Sequence, residues 1–289
     1  MTANLTLASV RAKVSAVSSH PWNTDFAWLR PSVAPRRLTE TQIDQFHEQG
    51  FFVIENLIDS ETVAAVTAEL DEIEAEVDAL LQGLPDERMF IAESGAITFS
   101  PHAVKQSPAA QAVSAHPAIA DVCHDLLGPD VRLYWDQLVY KKPQKPREFP
   151  WHQDNGYTYV EPQQYLTIWL SLTDATVDAG CPWVAPGEHL GGTLAHDYVD
   201  PLGFQCFPDH PDKVAAPVGP GGAVVFSSLT PHKTGPNTTD GVRKTYILQY
   251  APHGADVLEG DVTAAPTGRV RQDDPERQYP VVEGGVPVE

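Results

Sequence analysis

His152-Gln153-Asp154 places an imidazole and a carboxylate two positions apart, and His232 supplies a second imidazole well downstream. Two histidines and one carboxylate form the ligand set of a non-haem Fe(II) site that keeps coordination positions open for other molecules. Arg243 follows soon after His232. Its planar guanidinium suits a two-pronged contact with a carboxylate, which gives an acidic co-substrate a place to bind. An inward Arg in an otherwise apolar interior is costly without such a partner. Residues two apart on a strand share a face, so His152 and Asp154 are expected to point together into an interior while Trp151 and Gln153 point away. His-x-Asp alone is a weak motif; the elements that position it have to carry the rest.

Those elements are mostly short strands. Candidate strands run at 131–142, 149–154, 165–173, 181–185, 222–227 and 242–251, separated by Gly- and Pro-containing turns, a pattern that argues for a sandwich, jelly roll or small barrel. In the 165–173 strand, Leu166, Ile168, Leu170 and Leu172 alternate with Tyr165, Thr167, Trp169 and Ser171. One face suits a core and the other a polar lumen. The 131–142 strand is expected to put Leu133, Trp135, Gln137, Val139 and Lys141 on one face, with Tyr134, Asp136, Leu138 and Tyr140 on the other. After Gly235-Pro236-Asn237, the last strand aligns Arg243, Thr245, Ile247 and Gln249.

Helical periodicity is confined to the N-terminal half. Thr39 can cap a helix ended by Gly50, and Asp59 opens a longer one to about Leu81 whose apolar stripe is Val63, Val66, Leu70, Ile73 and Val77. The acids Glu69, Asp71, Glu72, Glu74 and Glu76 between them read as a solvated face. Ser107 to Leu127 reads as one further helix, stopped by Gly128-Pro129. The organisation expected is an irregular extension over 1–37, a catalytic domain over 38–253, and a tail over 254–289 that packs on the surface or is partly mobile.

The chain has 289 residues, enough for one all-β domain with helical additions. Its formal net charge of −20 would repel phosphates, which disfavours nucleic acid and anionic membranes as partners. Cys123, Cys181 and Cys206 are odd in number and contain no Cys-x-x-Cys pair, so neither a disulfide framework nor a thiolate zinc site is indicated. Met1 to Val17 has no signal-type apolar core, and no stretch is long and apolar enough to span a bilayer. A cytoplasmic protein is the expectation; oligomeric state is unreadable.

Taken together, Trp151-His152-Gln153-Asp154-Asn155-Gly156-Tyr157, Leu166-Thr167-Ile168-Trp169, Gly180-Cys181, Pro186-Gly187-Glu188-His189 with Gly191, and His232-Lys233-Thr234-Gly235-Pro236-Asn237 leading to Arg243 resemble the phytanoyl-CoA dioxygenase family of Fe(II)/2-oxoglutarate oxygenases. The resemblance spans about Thr39 to Tyr250. It implies a mainly β double-stranded β-helix, the cupin-like jelly roll, with flanking helices. It implies that His152, Asp154 and His232 bind Fe(II), that Arg243 assisted by Thr234 holds the distal carboxylate of 2-oxoglutarate, and that Gln137 and Trp169 line the co-substrate pocket. Some relatives carry a Lys near Ser100, which this chain lacks, leaving Thr98, Ser100 and His102 as candidates for one unassigned contact. The implied reaction consumes 2-oxoglutarate and O2, releases succinate and CO2, and oxidises a C–H bond of a small-molecule substrate, as in a tailoring step of specialised-metabolite biosynthesis. Relatives that halogenate have a small residue in place of the carboxylate; Asp154 therefore implies a hydroxylase or related C–H oxidant.

A jelly-roll binding module without catalysis is the competing reading, which retention of the three ligands and Arg243 argues against. A hydrolytic zinc site has no use for Arg243. His189 is expected to be structural in its turn, and Tyr157, Tyr159, Trp183 and Phe204 are candidates to line the substrate pocket, whose shape is expected to depend on loops around 85–105, 155–164 and 193–215.

Overall fold

Thr39 opens the helix Glu40–Gln49 with a two-way capping box, its hydroxyl accepting from the Gln42 N–H while the Gln42 side chain accepts from the Thr39 N–H. Gly50 closes it at φ +85, where a Cβ would press on the Thr230 hydroxyl and the His189 ring, so only glycine fits both the backbone and the space. The computed structural model describes residues 17–288. The expectations for the first sixteen positions lie outside the described residues.

Asp59 caps the helix Ser60–Gln82 through the N–H groups of Glu61 and Thr62, and Val63, Val66, Leu70 and Ile73 are buried along one stripe. Its acidic positions are not a purely solvated face. Glu74 is buried and accepts from the Thr98 hydroxyl while pairing with Lys142 at 2.9 Å. Asp71 binds Lys244 and the Tyr140 hydroxyl, and Glu69 takes the Ser107 hydroxyl and the Ala109 N–H. Glu72 and Glu76 remain exposed. Three acids thus fasten the helix to the structure beneath it.

The stretch expected to be one helix from Ser107 to Leu127 is two, Pro108–Ser114 and Pro117–Leu127. Pro117 has no N–H and drives the preceding residue out of helical geometry; His116 sits at φ −58, ψ 134 and caps the second helix through Nδ1, which accepts from the Ala118 N–H.

Two antiparallel sheets face each other. The larger runs in the order Phe51–Ile54, Ala223–Ser227, Leu166–Ser171, Arg243–Pro252, Val131–Lys141 and Ile97–Pro101, and ends in the hairpin strands Ala92–Glu93 and Arg88–Met89. The smaller runs Val214–Ala215, Pro182–Val184, His232–Thr234, Phe149–His152. This is the expected jelly roll. The helices cover the outer face of the larger sheet, where Leu138, Tyr140, Leu166, Ile168, Leu170, Tyr246 and Leu248 join the helical stripe in one core. The opposite face looks into the lumen.

Strand phase follows the expected alternation except at one place. Between Gln249 and Tyr250 the register jumps from Trp135 to Leu133, so Tyr134 is an extra residue in a bulge. The bulge flips the faces: Leu133 joins the core under the helices, and Tyr134 turns to the lumen beside Trp135. The sequence expectation had these two reversed, since strict alternation has no place for an inserted residue.

Residues 17–37 carry no helix and only an isolated bridge, Ser19 to Leu194. Their end is held by the buried Asp125 carboxylate, which accepts from the N–H groups of Arg36, Arg37 and Leu38, while Asn23 donates to the carbonyls of Gly191 and Thr193. Beyond Gly254, Asp256–Glu259 pairs with Val160–Glu161 and Gly268–Arg271, while Pro280–Glu283 pairs with the start of the Val131 strand and buries Val281 and Val282.

Candidate metal and co-substrate site

His152 is the last residue of its strand, and Asp154 begins a short 3-10 turn rather than continuing it to 154 as expected. Gln153 stays extended at φ −107, ψ 144, so the alternation carries one residue past the ladder and the two side chains still share a side. His232 lies directly opposite His152 across the smaller sheet. The ligand atoms of His152, Asp154 and His232 all lie within 4.8 Å of one another. Each imidazole Nε2 is 3.8 Å from Asp154 Oδ1.

Both rings are held by their other nitrogen. His152 Nδ1 donates to the Pro150 carbonyl at 2.8 Å and His232 Nδ1 to the Thr230 carbonyl at 3.0 Å. That pairing assigns the proton to Nδ1 and leaves both Nε2 lone pairs facing the carboxylate. Burial, reinforced by His232, holds the His152 pKa well below the usual imidazole value. The neutral form is the one a metal takes. Thr167 donates its hydroxyl to Asp154 Oδ2, leaving Oδ1 toward the histidines.

The residue between the ligands is the part that sequence reading passed over. Gln153 is fully buried; its amide NH2 donates to the carbonyls of Gly192 and Leu229, and its oxygen accepts from the Leu194 N–H. Its backbone N–H donates to His196 Nε2 at 2.9 Å. Asn155 adds bonds to Thr193, Val160 and Ser228. The His-Gln-Asp segment is thereby tied to the stretch that leads into His232. Only the polarity of Gln153 and Asn155 signals this, because their partners are distant in sequence. Gln153→Leu is expected to weaken divalent metal binding by roughly ten- to a hundredfold, as loss of supporting bonds around metal ligands does; Zn(II) titration checks it, and unchanged affinity refutes the role.

Arg243 sits on the strand next to Leu166–Ser171, only 2 % exposed, with its guanidinium carbon 4.9 Å from the centre of the Trp169 ring. One arm donates to the Thr245 hydroxyl; Nε and Nη2 have no hydrogen-bond partner among the described residues. Desolvation pulls its pKa down to about 9. A buried guanidinium with two idle donors is the environment that a carboxylate would complete. Opposite it, Lys141 is also buried, and its ammonium donates to the carbonyls of Arg147, Thr234 and Gly235, pinning the segment just after His232. Gly180, at φ +81, lets this same segment approach: a Cβ there would meet the Gly235 and Pro236 carbonyls.

One cavity of about 290 Å³ joins these groups; the triad, Arg243, Gln137, Trp169 and Thr234 all border it. Thr98, Ser100 and His102 do not. Thr98 faces Glu74 under the helix, and His102 lies behind Trp135, its Nε2 against Arg277; Ile97 and Phe99 are the residues of that strand that reach the cavity. Of the aromatic candidates, Tyr157 borders it, whereas Tyr159 packs on His20 and Trp22, and Trp183 packs with Trp151. Phe204 sits outside, edge-on to Tyr157. The loops around 85–105 and 155–164 contribute lining residues and 193–215 does not. His189 is buried against Trp28 and the His47 carbonyl, away from the cavity.

Residues 46–245 match the family model for phytanoyl-CoA dioxygenase. The chain is 25 % identical over 263 residues to the phytanoyl-CoA dioxygenase domain-containing protein 1 of Danio rerio, covering 73 % of this chain and 89 % of that one. It is 28 % identical over 268 residues to the ectoine dioxygenase of Sphingopyxis alaskensis, covering 84 % and 82 %. Its fold superposes on the non-haem α-ketoglutarate-dependent carbocyclase SnoK from nogalamycin biosynthesis with a TM-score of 0.69 at 23 % identity, covering 86 % of this chain and all of that one. No helix among the described residues is long and apolar enough to cross a membrane. The ligand set, the idle guanidinium and the family match agree on iron and 2-oxoglutarate as the groups this cavity serves, and the chain belongs to the phytanoyl-CoA dioxygenase family of Fe(II)/2-oxoglutarate-dependent oxygenases.

Proposed function

We propose that this chain hydroxylates a C–H bond of a small molecule, with residues 38–253 as the catalytic unit and a tailoring step of specialised metabolism as its setting. The observation that carries the reading is the pairing, within one cavity, of a two-histidine, one-carboxylate cluster with a buried Arg whose donors are idle. His152 Nε2, His232 Nε2 and Asp154 Oδ1 would hold Fe(II); Arg243 and Thr234 would hold the distal carboxylate of 2-oxoglutarate, with Gln137 and Trp169 as walls. When bound, the iron together with 2-oxoglutarate and O2 supplies the oxidising power for C–H cleavage, with succinate and CO2 released.

The chain's own residues set the conditions. Pro150 and Thr230 carbonyls fix the imidazole tautomers, Thr167 fixes the carboxylate, and the apolar walls exclude water from the reacting centre. Asp154 favours oxygen transfer over halogenation, because its carboxylate fills the place that a halide would need. Three free cysteines among the described residues support a reducing compartment, the cytoplasm.

Anaerobic addition of Fe(II) and then 2-oxoglutarate is the direct experiment. Stoichiometric development of a visible charge-transfer band, followed on exposure to O2 and a metabolite panel by substrate-dependent succinate and a product heavier by one oxygen, is expected. A band that never forms removes the cofactor assignment; succinate with a desaturated, epoxidised, cyclised or chlorinated product removes the hydroxylase assignment.

A further inference from the structure

Arg243 and Gln249 lie on the same lumen-facing side of one strand, six positions apart. At about 3.4 Å per residue they are separated by roughly 20 Å. A short diacid anchored at Arg243 cannot reach the Gln249 end. That end is nonetheless part of the same cavity, and it is built differently from the Arg243 end.

Its walls are Tyr134, Trp135, Thr158, Tyr165 and Gln249: Trp135 lies across from Gln249 in register, Tyr134 packs on Tyr165, and Thr158 bonds Tyr134. The bulge at Tyr134 places two successive aromatic residues in the lumen, and Tyr134 meets Tyr165 edge-on with ring centres 5.3 Å apart. Two of them carry polar groups with no hydrogen-bond partner among the described residues: the Tyr165 hydroxyl, on a side chain 1 % exposed, and the Gln249 amide, 8 % exposed. Both are uncharged and both face the cavity.

Among the described residues no free cation borders this end: Arg277, behind Trp135, is already paired with Asp274 at 2.9 Å. The charged or ionisable groups bordering the cavity, apart from tyrosine hydroxyls, are His152, Asp154, His232 and Arg243, and the proposed function commits all four to iron and 2-oxoglutarate. On the segments that bring Ile91 and Phe149 to the cavity, every basic side chain already has a carboxylate. Arg88 pairs with Asp200 at 3.5 Å, Lys145 with Glu87 and Glu93 at 3.0 and 3.3 Å, and Arg147 with Glu93. A phosphate or carboxylate entering here would lose its hydration with nothing to replace it. A cation fares no better, since Asp154 is the only carboxylate that the described residues bring to the cavity.

We propose that the end bounded by Tyr134, Trp135, Tyr165 and Gln249 is the primary-substrate site, and that it takes an uncharged, ring-bearing molecule whose hydroxyl or carbonyl groups bind Tyr165 and Gln249. The same electrostatics disfavour a coenzyme A thioester over an uncharged molecule, because its phosphates find no free cation on the segments bordering the cavity. The assignment rests on the proposed function, because it needs the four charged groups to be occupied otherwise. Flat rings suit aromatic walls by stacking and edge contacts, and the two idle polar groups select partners by hydrogen bonding.

The test is binding, not turnover. The protein is loaded with Zn(II) and N-oxalylglycine, an unreactive mimic of 2-oxoglutarate, and titrated with 2-naphthol, naphthalene-2-sulfonate and decanoyl-CoA, following tryptophan fluorescence and heat. 2-Naphthol is expected to bind at least about tenfold more tightly than the sulfonate, the least that burying an unpaired charge costs. Gln249→Leu or Tyr165→Phe is expected to weaken 2-naphthol about three- to tenfold, the weight of one hydrogen bond, with N-oxalylglycine still bound at the Arg243 end. Equal or tighter binding of the sulfonate or of decanoyl-CoA overturns the proposal, as does no binding of 2-naphthol or no effect of both substitutions. N-oxalylglycine is titrated separately on the unsubstituted protein; its failure to bind refutes the proposed function itself, and so the two failures are told apart.

Discussion

Asp154→Ala protein is expected to fold, to lose at least about a hundredfold in Fe(II) affinity, and to release no succinate. The magnitude follows from scale: losing an outer partner of a metal ligand already costs ten- to a hundredfold, and Asp154 is proposed to supply a ligand atom itself. Among the described residues its Oδ1 is the only carboxylate oxygen within 3.8 Å of both imidazole Nε2 atoms, and none of them brings another carboxylate to the cavity to replace it. The structural penalty is small by comparison. Asp154 makes one side-chain hydrogen bond, from Thr167, worth about 1 kcal/mol, while the backbone of the turn is held by Gln153 and Asn155. Metal titration alongside thermal unfolding separates the two effects. A variant that melts normally and still makes succinate would show that Asp154 is not a ligand.

The same contrast between ligand and support explains how much of this site could be read from the sequence. The faces of Leu166–Ser171 and Arg243–Gln249 were legible because a strand buried on one side and lining a cavity on the other must alternate. Tyr165, Thr167 and Trp169 accordingly share the lumen with Ile247 and Gln249. Tyr134 was not legible. A bulge is set by the register of two neighbouring strands, and nothing within Arg132–Lys142 marks it. The break at Pro117 did have a local signal, the X-Pro restriction on His116, and was overridden by apolar periodicity that runs through it. The family's Lys near Ser100 made Thr98, Ser100 and His102 the candidates for the remaining co-substrate contact, but the phase of that strand puts Ile97 and Phe99 into the cavity instead. The clamps at Gln153, Lys141 and His196 depend on carbonyls and N–H groups brought close only by the fold. Chemistry-bearing residues show in the sequence through their type; positioning residues do not, because backbone partners carry no sequence signature.

Arg243→Met separates function from stability most clearly. The apparent Kd for 2-oxoglutarate is expected to rise about thirtyfold or more, since removing one partner of a buried charge pair costs roughly 2 to 5 kcal/mol, and each 1.4 kcal/mol is a factor of ten. Stability without co-substrate is expected to move the other way, or not at all. The guanidinium is desolvated, leaves Nε and Nη2 unpaired among the described residues, and stands opposite the buried Lys141, whose pKa is depressed by burial and further by this guanidinium. Methionine of similar length would fill the space beside Trp169 without carrying a buried charge, and such exchanges are often neutral or stabilising. The unsubstituted protein should therefore gain thermal stability on adding metal and 2-oxoglutarate, because ligand binding to the native state is linked to folding, while Arg243→Met should start at an equal or higher melting temperature and gain little. If the variant instead melts much lower and keeps its 2-oxoglutarate affinity, Arg243 is a structural residue and the carboxylate is held elsewhere. The expected pattern would mean that the protein maintains an unpaired buried cation, at a cost to its own stability, because its partner arrives with each catalytic cycle.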